Sequence, residues 1–207
     1  MNPKGTVFLV DDDEGLRTAT TRLLTACGFA VKAFQSAEEF LQQFDFDDAG
    51  CLLLDLRMPG QSGLELQSTL AKRKVLLPIV FLTGHADVPT SVYAMKQGAV
   101  DFLEKPVREE DLVAALERAL GVDERLRHER GERERIERRY ASLTAREREV
   151  FTQIVAGRLN KQTGQLLGIA ERTVKLHRSR VFEKMGAPSV ADLVRMAELL
   201  GLGQRTI

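Results

Sequence analysis

Residues 51–63 read "CLLLDLRMPGQSG". Four residues suited to a buried strand, Cys51 to Leu54, run into Asp55, and the chain then turns at Pro59 and Gly60. A carboxylate at the end of a buried strand is costly unless something beside it uses the charge. Outward from this stretch, short apolar runs alternate with helical patterns through the first 120 residues. Thr6–Val10, Ala30–Phe34, Cys51–Leu56, Ile79–Thr83 and Val100–Glu104 read as strands. Helical spacing follows each of them: from near Glu14 to before Gly28, from the Ser36 cap to about Phe44, Gly63–Lys72, about Pro89–Gln97, and Arg108–Leu120. Five such units in a row predict a doubly wound α/β domain, (βα)5, with a parallel sheet and helices on both faces, for which 2-1-3-4-5 is a common order and the one expected here. Ligands of such sheets gather at the carboxyl ends of strands where the order reverses, here between strands one and three. That point brings Asp11, Asp12 and Asp13, which follow strand one, beside Asp55.

Composition narrows the function. With 207 residues the chain has room for two domains, and its hydrophobic fraction of 43% is enough for real cores. No apolar run approaches a membrane span, and the short segment Val7 to Val10 is cut off by acids, so neither a signal peptide nor a membrane partner is expected. Cys27 and Cys51 stand in no CxxC and near no His cluster, which argues against structural zinc and a disulfide framework and for a cytoplasmic protein. The zero net charge hides an asymmetry: residues 1–120 carry 12 Lys and Arg against 18 Asp and Glu, and residues 121–207 carry 18 against 12. An acidic half suits a metal or cationic partner, and a basic half suits nucleic acid.

The boundaries follow from these patterns: a first domain over 1–120, a charged helical linker over 121–141, and an all-α domain over 142–207. The linker, "GVDERLRHERGERERIERRYA", interleaves seven Arg with six acids at helical spacings, and Leu126, Ile136 and Tyr140 are too sparse for a coiled coil. Beyond it, four helices are expected: Thr144 to before Gly157, Asn160–Leu167, Glu171–Met185 and Val190–Leu200.

Four acids around one crevice call for a compensating cation, and Mg2+ (or Mn2+) suits oxygen-only ligands. A carboxylate beside such a metal can act as a nucleophile toward phosphorus, given a cation for the phosphoryl oxygens and a hydroxyl to bond one of them. Lys105 after strand five and Thr83 at the end of strand four supply both. One of Asp11 to Asp13 is also expected to cap the helix near Glu14, and His85 reads as loop structure, not as a base.

With "VDDD" at 10–13, "DLRMPGQSG" at 55–63, "TGH" at 83–85 and "EKP" at 104–106, residues 5–120 resemble the receiver domain of two-component response regulators. The resemblance implies Asp55 as phosphoacceptor, Mg2+ held by Asp11, Asp12, Asp55 and the backbone carbonyl of Arg57, Lys105 as the phosphoryl-binding cation, and Thr83 as the switch hydroxyl. It also implies Phe102 as the switch aromatic and a cis Lys105–Pro106 bond.

Residues 160–167, the turn at Gly168 and the helix from Glu171 form a helix-turn-helix pattern. Val174, Val181 and Met185 mark one side of the second helix, and Arg172, Lys175, Leu176 and Ser179 another. "LTARERE" at 143–149, "GRLNKQ" at 157–162 and "ERTVKLHRSRVFEKMG" at 171–186 resemble the LuxR-type helix-turn-helix. This implies base contacts from Lys175, Leu176 and Ser179, and phosphate contacts from Asn160, Lys161, Arg172, Thr173, His177 and Arg178. Thr163-Gly164 depart from the family's aliphatic-Ala pair. Since Gly in a helix costs about 1 kcal/mol relative to Ala, replacement by Ile and Ala is expected to stabilise.

The whole chain thus resembles a response regulator of the FixJ/NarL type, with the FixJ branch nearer through "TGHADVP" and "GAVDFLEKP". The resemblance implies a transcription regulator that receives a phosphoryl group from a sensor histidine kinase. It then dimerises through a face containing Val92 and Lys96 and binds promoter DNA, with RNA polymerase as a further partner. It is not expected to be an enzyme beyond phosphorylating and slowly dephosphorylating itself. An aspartyl-phosphate hydrolase is a competing reading, but it needs a second acid where Arg57 stands. A phospho-switched protein-interaction or RNA-binding module is another, and sequence-selective, salt-dependent DNA binding separates it.

Overall fold

The structure, a computed structural model, describes residues 3–45, 47–84 and 88–202. The chain forms two compact units, Met1–Arg127 and His128–Ile207. The first contains β1 (Thr6–Val10), α1 (Glu14–Ala26), β2 (Ala30–Phe34), α2 (Ala37–Gln43), β3 (Cys51–Leu54), α3 (Gly63–Lys72), β4 (Ile79–Thr83), α4 (Val88–Lys96) and β5 (Asp101–Glu104). The strands form one parallel sheet in the expected order, β2-β1-β3-β4-β5.

Because side chains alternate along a strand, the central strands are apolar on both faces. Phe8, Val10, Leu52, Leu54, Ile79 and Phe81 pack with Phe40, Leu66 and Leu70 from α2 and α3. Val7, Leu9, Cys51, Leu53, Val80 and Leu82 pack with Leu24 of α1 and with Leu112, Leu116 and Ala119 of the fifth helix. Of the described residues of α4, Ala94 alone is buried, so that helix is lightly held.

Helix α5 (Glu109–Ala141) runs far past the expected end at Leu120. Its continuation is helical, but the expectation of a solvated linker over 121–141 needs correction at both ends. Asp123 is buried, and its carboxylate accepts from the Gly50 amide at 3.0 Å and from Arg127 Nε at 2.9 Å. The Arg127 guanidinium also donates to the carbonyls of Asp47 and Asp48. Within the second unit Ile136 is buried in the core, Arg139 donates to the Met185 carbonyl at 2.8 Å, and the Tyr140 ring lies 5.3 Å from that of Phe151. Between these anchors, i,i+4 pairs Arg130–Glu134 and Arg133–Glu137 line the helix.

The second unit continues with α6 (Ala145–Val155), α7 (Asn160–Leu167), α8 (Glu171–Met185) and α9 (Val190–Leu199). Val150, Phe151, Ile154, Val181, Met185 and Leu193 build its core. Thr144 and Glu147 form a capping box at the start of α6. Glu147 is itself buried: Lys184 Nζ sits 2.6 Å away, and the Thr144 amide donates at 2.8 Å. The Lys184 bond first, then the Thr144 amide, hold its carboxyl down at about 2.

The Thr163-Gly164 expectation divides. Thr163 is buried with its Oγ1 unpartnered, so an apolar replacement there should stabilise. Gly164 has a packing reason: a Cβ would stand 2.7 Å from the carbonyl oxygen of Ile169 in the turn. Ala at that position overlaps backbone, which outweighs its propensity gain.

Thr163→Val is expected to raise the stability of this unit by about 1 kcal/mol, and Gly164→Ala to lower it by about the same or more, both read by thermal melting. Glu147 contributes stability that is complete above its ordinary value of 4.5 and is lost as pH falls through about 2. Melts of Glu147→Gln across that window should lack the pH-dependent loss and start lower at neutral pH, where Lys184 has no carboxylate.

Candidate functional site: an acidic crevice and a basic helix

Strand pairing places Asp55 by fixing its backbone: its amide donates to the Val10 carbonyl at 2.9 Å, directly before Asp11. Gly63 packs so closely on the Asp55 carbonyl that a Cβ there would collide with it, which explains the glycine eight residues on. Asp13, not its neighbours, caps α1, accepting from the Leu16 amide at 2.9 Å. Asp11 and Asp12 are thereby left for the crevice. Asp11 is buried, its Oδ1 accepts from the Asp13 amide at 2.9 Å, and Arg17 donates to its carbonyl at 2.8 Å. Arg17 was not foreseen, because nothing in the sequence separates it from other helical arginines.

Carboxylate oxygens of Asp11, Asp12 and Asp55 lie within 4.8 Å of one another. Lys105 enters from the end of β5, with Nζ 2.9 Å from Asp11 Oδ2 and 3.2 Å from Asp55 Oδ2. Its amide bonds the Thr83 carbonyl at 2.8 Å, and the Lys105–Pro106 bond is cis. The two ends of this pair read differently. Burial pushes the Asp55 carboxyl up, against the pull of Lys105, and the charge of Asp11 adds to the rise. Burial pulls the Lys105 ammonium down, but its bonds to Asp11 and Asp55 and their charges outweigh that and leave it raised. Lys105 gains from both acids, while burial and the neighbouring Asp11 charge leave the Asp55 carboxyl raised in spite of it. An all-oxygen donor set with surplus negative charge fits a hard divalent cation.

Thr83 is buried at the end of β4. Phe102 is half-buried, its ring 5.8 Å from that of Phe81. Arg57 is exposed, and its amide makes only a long 3.5 Å contact with Asp55 Oδ1. Val92 and Lys96 lie exposed on α4, with Val88, Tyr93 and Met95 also exposed. His85 lies outside the described residues.

In the second unit Arg172, Lys175, Leu176 and Ser179 are exposed along α8 at helical spacing, while Val174, Val181 and Met185 are buried. Lys161 is exposed, and Asn160, Thr173, His177 and Arg178 are half-buried. His177 Nδ1 is buried without a partner, so only its Nε2 edge is available to a ligand. Burial pulls the Arg178 guanidinium down. The N-caps of α7 and α8, Leu159 and Ala170, make no side-chain cap bond.

Comparison with known proteins accounts for both units. Residues 7–117 match the response regulator receiver domain, and residues 141–197 match the luxR family of bacterial regulatory proteins. The chain is a response regulator with a LuxR-type DNA-binding domain. It is 44% identical over 199 residues to nodulation protein W of Bradyrhizobium diazoefficiens, covering 96% of this chain and 88% of that protein. It is 39% identical over 202 residues to the transcriptional regulatory protein FixJ of the same species, covering 98% of each. The solved structure of the response regulator StyR superposes with a TM-score of 0.85 at 43% identity, covering 96% of this chain and 99% of that one. This response regulator thus joins a receiver, which implies a kinase partner, to a module that implies DNA binding. No helix among the described residues is long and apolar enough to cross a membrane.

The shared cation makes a sharp prediction. Lys105→Met should destabilise the receiver by about 3 kcal/mol at neutral pH, since it leaves buried carboxylates unpaired. A carboxyl raised in the folded state costs stability as pH rises through its folded value, so the loss should shrink on acidification. Thermal melts of the variant and the unchanged chain at several pH values check both the size and the sign.

Proposed function

We propose that this response regulator is switched by phosphorylation of Asp55 and acts as a dimer on promoter DNA. The observation that carries the reading is Asp55 itself, set between an acidic pair and Lys105 and joined in one chain to a LuxR-type DNA reader. An Asp55 carboxylate oxygen attacks phosphorus, and the P–N bond to the phosphohistidine of a sensor kinase breaks. The imidazole leaves with a proton from solvent. Asp11, Asp12, Asp55 and the Arg57 carbonyl would hold Mg2+ (or Mn2+), which would supply charge neutralisation for the phosphoryl oxygens. Lys105 exchanges its Asp55 bond for a phosphoryl oxygen and stays bonded to Asp11.

The receiver's own chemistry is limited to this phosphorylation and a slow dephosphorylation. Arg57 offers no carboxylate to activate water where a hydrolase would need one. The Thr83 hydroxyl turns toward the phosphoryl group, and Phe102 follows into the space beside β4. The weakly held α4 then shifts, and Val92 and Lys96 become part of a homodimer face. In the dimer, Lys175, Leu176 and Ser179 of each α8 read base edges. Asn160, Lys161, Arg172, Thr173, His177 and Arg178 contact phosphates, as a basic, salt-sensitive reader requires. RNA polymerase is the further partner, and the cytoplasm, where promoter DNA and the kinase's phosphohistidine are accessible, is the compartment.

Acetyl phosphate with Mg2+ should convert the chain to a dimer and tighten its binding to DNA selected from random sequence, while Asp55→Asn should show neither response. Lys175→Ala should weaken the specific complex about tenfold or more without altering dimerisation. An Asp55→Asn protein that still dimerised and bound DNA fully in response to the phosphoryl donor would overturn the reading. Sedimentation and gel shifts over a salt series measure these outcomes.

A further inference from the structure

We propose that Glu38 is a positioning residue for the loop of residues 57–61, whose Arg57 carbonyl belongs to the Mg2+ site. The inference rests on the reading of Asp11, Asp12 and Asp55 as that site. Glu38 lies in the first turn of α2, is exposed, and stands outside the carboxylate cluster. Its Oε1 nevertheless accepts a hydrogen bond from the Gln61 amide at 3.1 Å. Gly60 has a φ of 77°, and a Cβ there would stand 3.0 Å from the same oxygen. A side chain at position 60 would press on the Glu38 carboxylate, and the left-handed φ there favours glycine. The backbone amides of Glu38 and Gln61, then the Ser36 hydroxyl, hold the Glu38 carboxyl below its ordinary range, as expected of a charged acceptor that is in use.

The rest of the loop shows why such a tie matters. Its far end is secured: Gln61 Nε2 donates to Thr69 Oγ1 at 2.9 Å, and Ser62 and Glu65 form a capping box on α3. Its near end is not, since the Arg57 amide reaches Asp55 only over 3.5 Å. Between them Glu38 draws residues 60 and 61 onto α2, and this limits where the Arg57 carbonyl can point. A carbonyl ligand on a short loop is only as well placed as the groups that hold the loop, and outer partners of this kind are worth about tenfold or more in metal affinity.

The bland alternative is a surface acid at a helix N-terminus, which acts, if at all, through its charge. Titration of the full-length chain with MgCl2 by calorimetry separates the two. Glu38→Ala should weaken Mg2+ binding about tenfold, while Glu38→Gln, whose amide oxygen still accepts the Gln61 N–H, should keep most of the affinity. In metal-free protein, amide exchange over residues 57–61 should quicken in Glu38→Ala while the strand amides stay protected, which shows that the fold is intact. The proposal is overturned if Glu38→Ala binds Mg2+ like the unchanged chain, or if Glu38→Gln is as weak as Glu38→Ala. Failure of the underlying reading looks different: the unchanged chain takes up no Mg2+, or Asp11→Asn leaves its affinity unaltered, and either result overturns both.

Discussion

Lys105 carries one positive charge and has two carboxylate neighbours, and that inequality organises the receiver. A pair matched one to one, acid against base with every lone pair filled, is a structural element. A cation spread over Asp11 and Asp55, with Asp12 beside them, leaves negative charge in a place where burial makes it costly. The fold holds this arrangement because three strands end there: β1 delivers the acidic pair, β3 delivers Asp55, and β5 delivers Lys105. Each is placed by backbone bonds that the apolar faces of the sheet secure, so the crevice cannot relax by moving its own acids apart. The surplus is relieved by cations, protons or a redistribution of Lys105, and each of these is chemistry.

The second unit contains the comparison that makes the point. Glu147 and Lys184 are also a buried acid and a base in close contact, yet the Glu147 carboxyl is driven down to about 2 while that of Asp55 is driven up. Burial is the largest influence on Asp55, whereas at Glu147 the bonds from Lys184 and the Thr144 amide outweigh it. Lys184 gives Glu147 a short bond and donates otherwise only weakly, to the Ser142 carbonyl at 3.3 Å, whereas Asp55 shares its ammonium with a like-charged neighbour. Burial alone therefore does not mark a functional carboxylate.

Much of this was legible before any coordinates. The five strands announce themselves because parallel strands buried on both faces must be continuously apolar, and the acids that end them interrupt the pattern. The crevice was legible because 2-1-3-4-5 is a common order for such sheets and the acids stand at the carboxyl ends of strands one and three. Two features were not. Helix α5 continues beyond Leu120 through a stretch with almost no apolar periodicity, and what holds it is Asp123 with Arg127 at one end and Ile136 with Arg139 at the other. A charged residue that bonds a loop amide looks, in sequence, like any charged residue on a solvated helix. Gly164 is the second case. Helix propensity counts it as a defect, but the constraint is the Ile169 carbonyl, which the turn folds back onto the helix. Local rules fail where a contact comes from the tertiary fold.

The charge partition bears on how binding can be controlled. The chain is neutral, but the first 120 residues hold six more acids than bases and the remainder the reverse. A basic reader alone would adhere to any DNA through phosphate contacts, and such binding is sequence-independent. Acidic residues carried by the same chain reduce the field that a distant polyanion experiences, while contacts closer than about 10 Å are screened little at moderate salt. Long-range attraction is then weak for one copy. Specific binding must come from the number of close contacts made at once, which doubles when two copies act together. On the proposed dimeric mode of action, control of assembly would be control of DNA occupancy, with no change required within the DNA-binding unit itself.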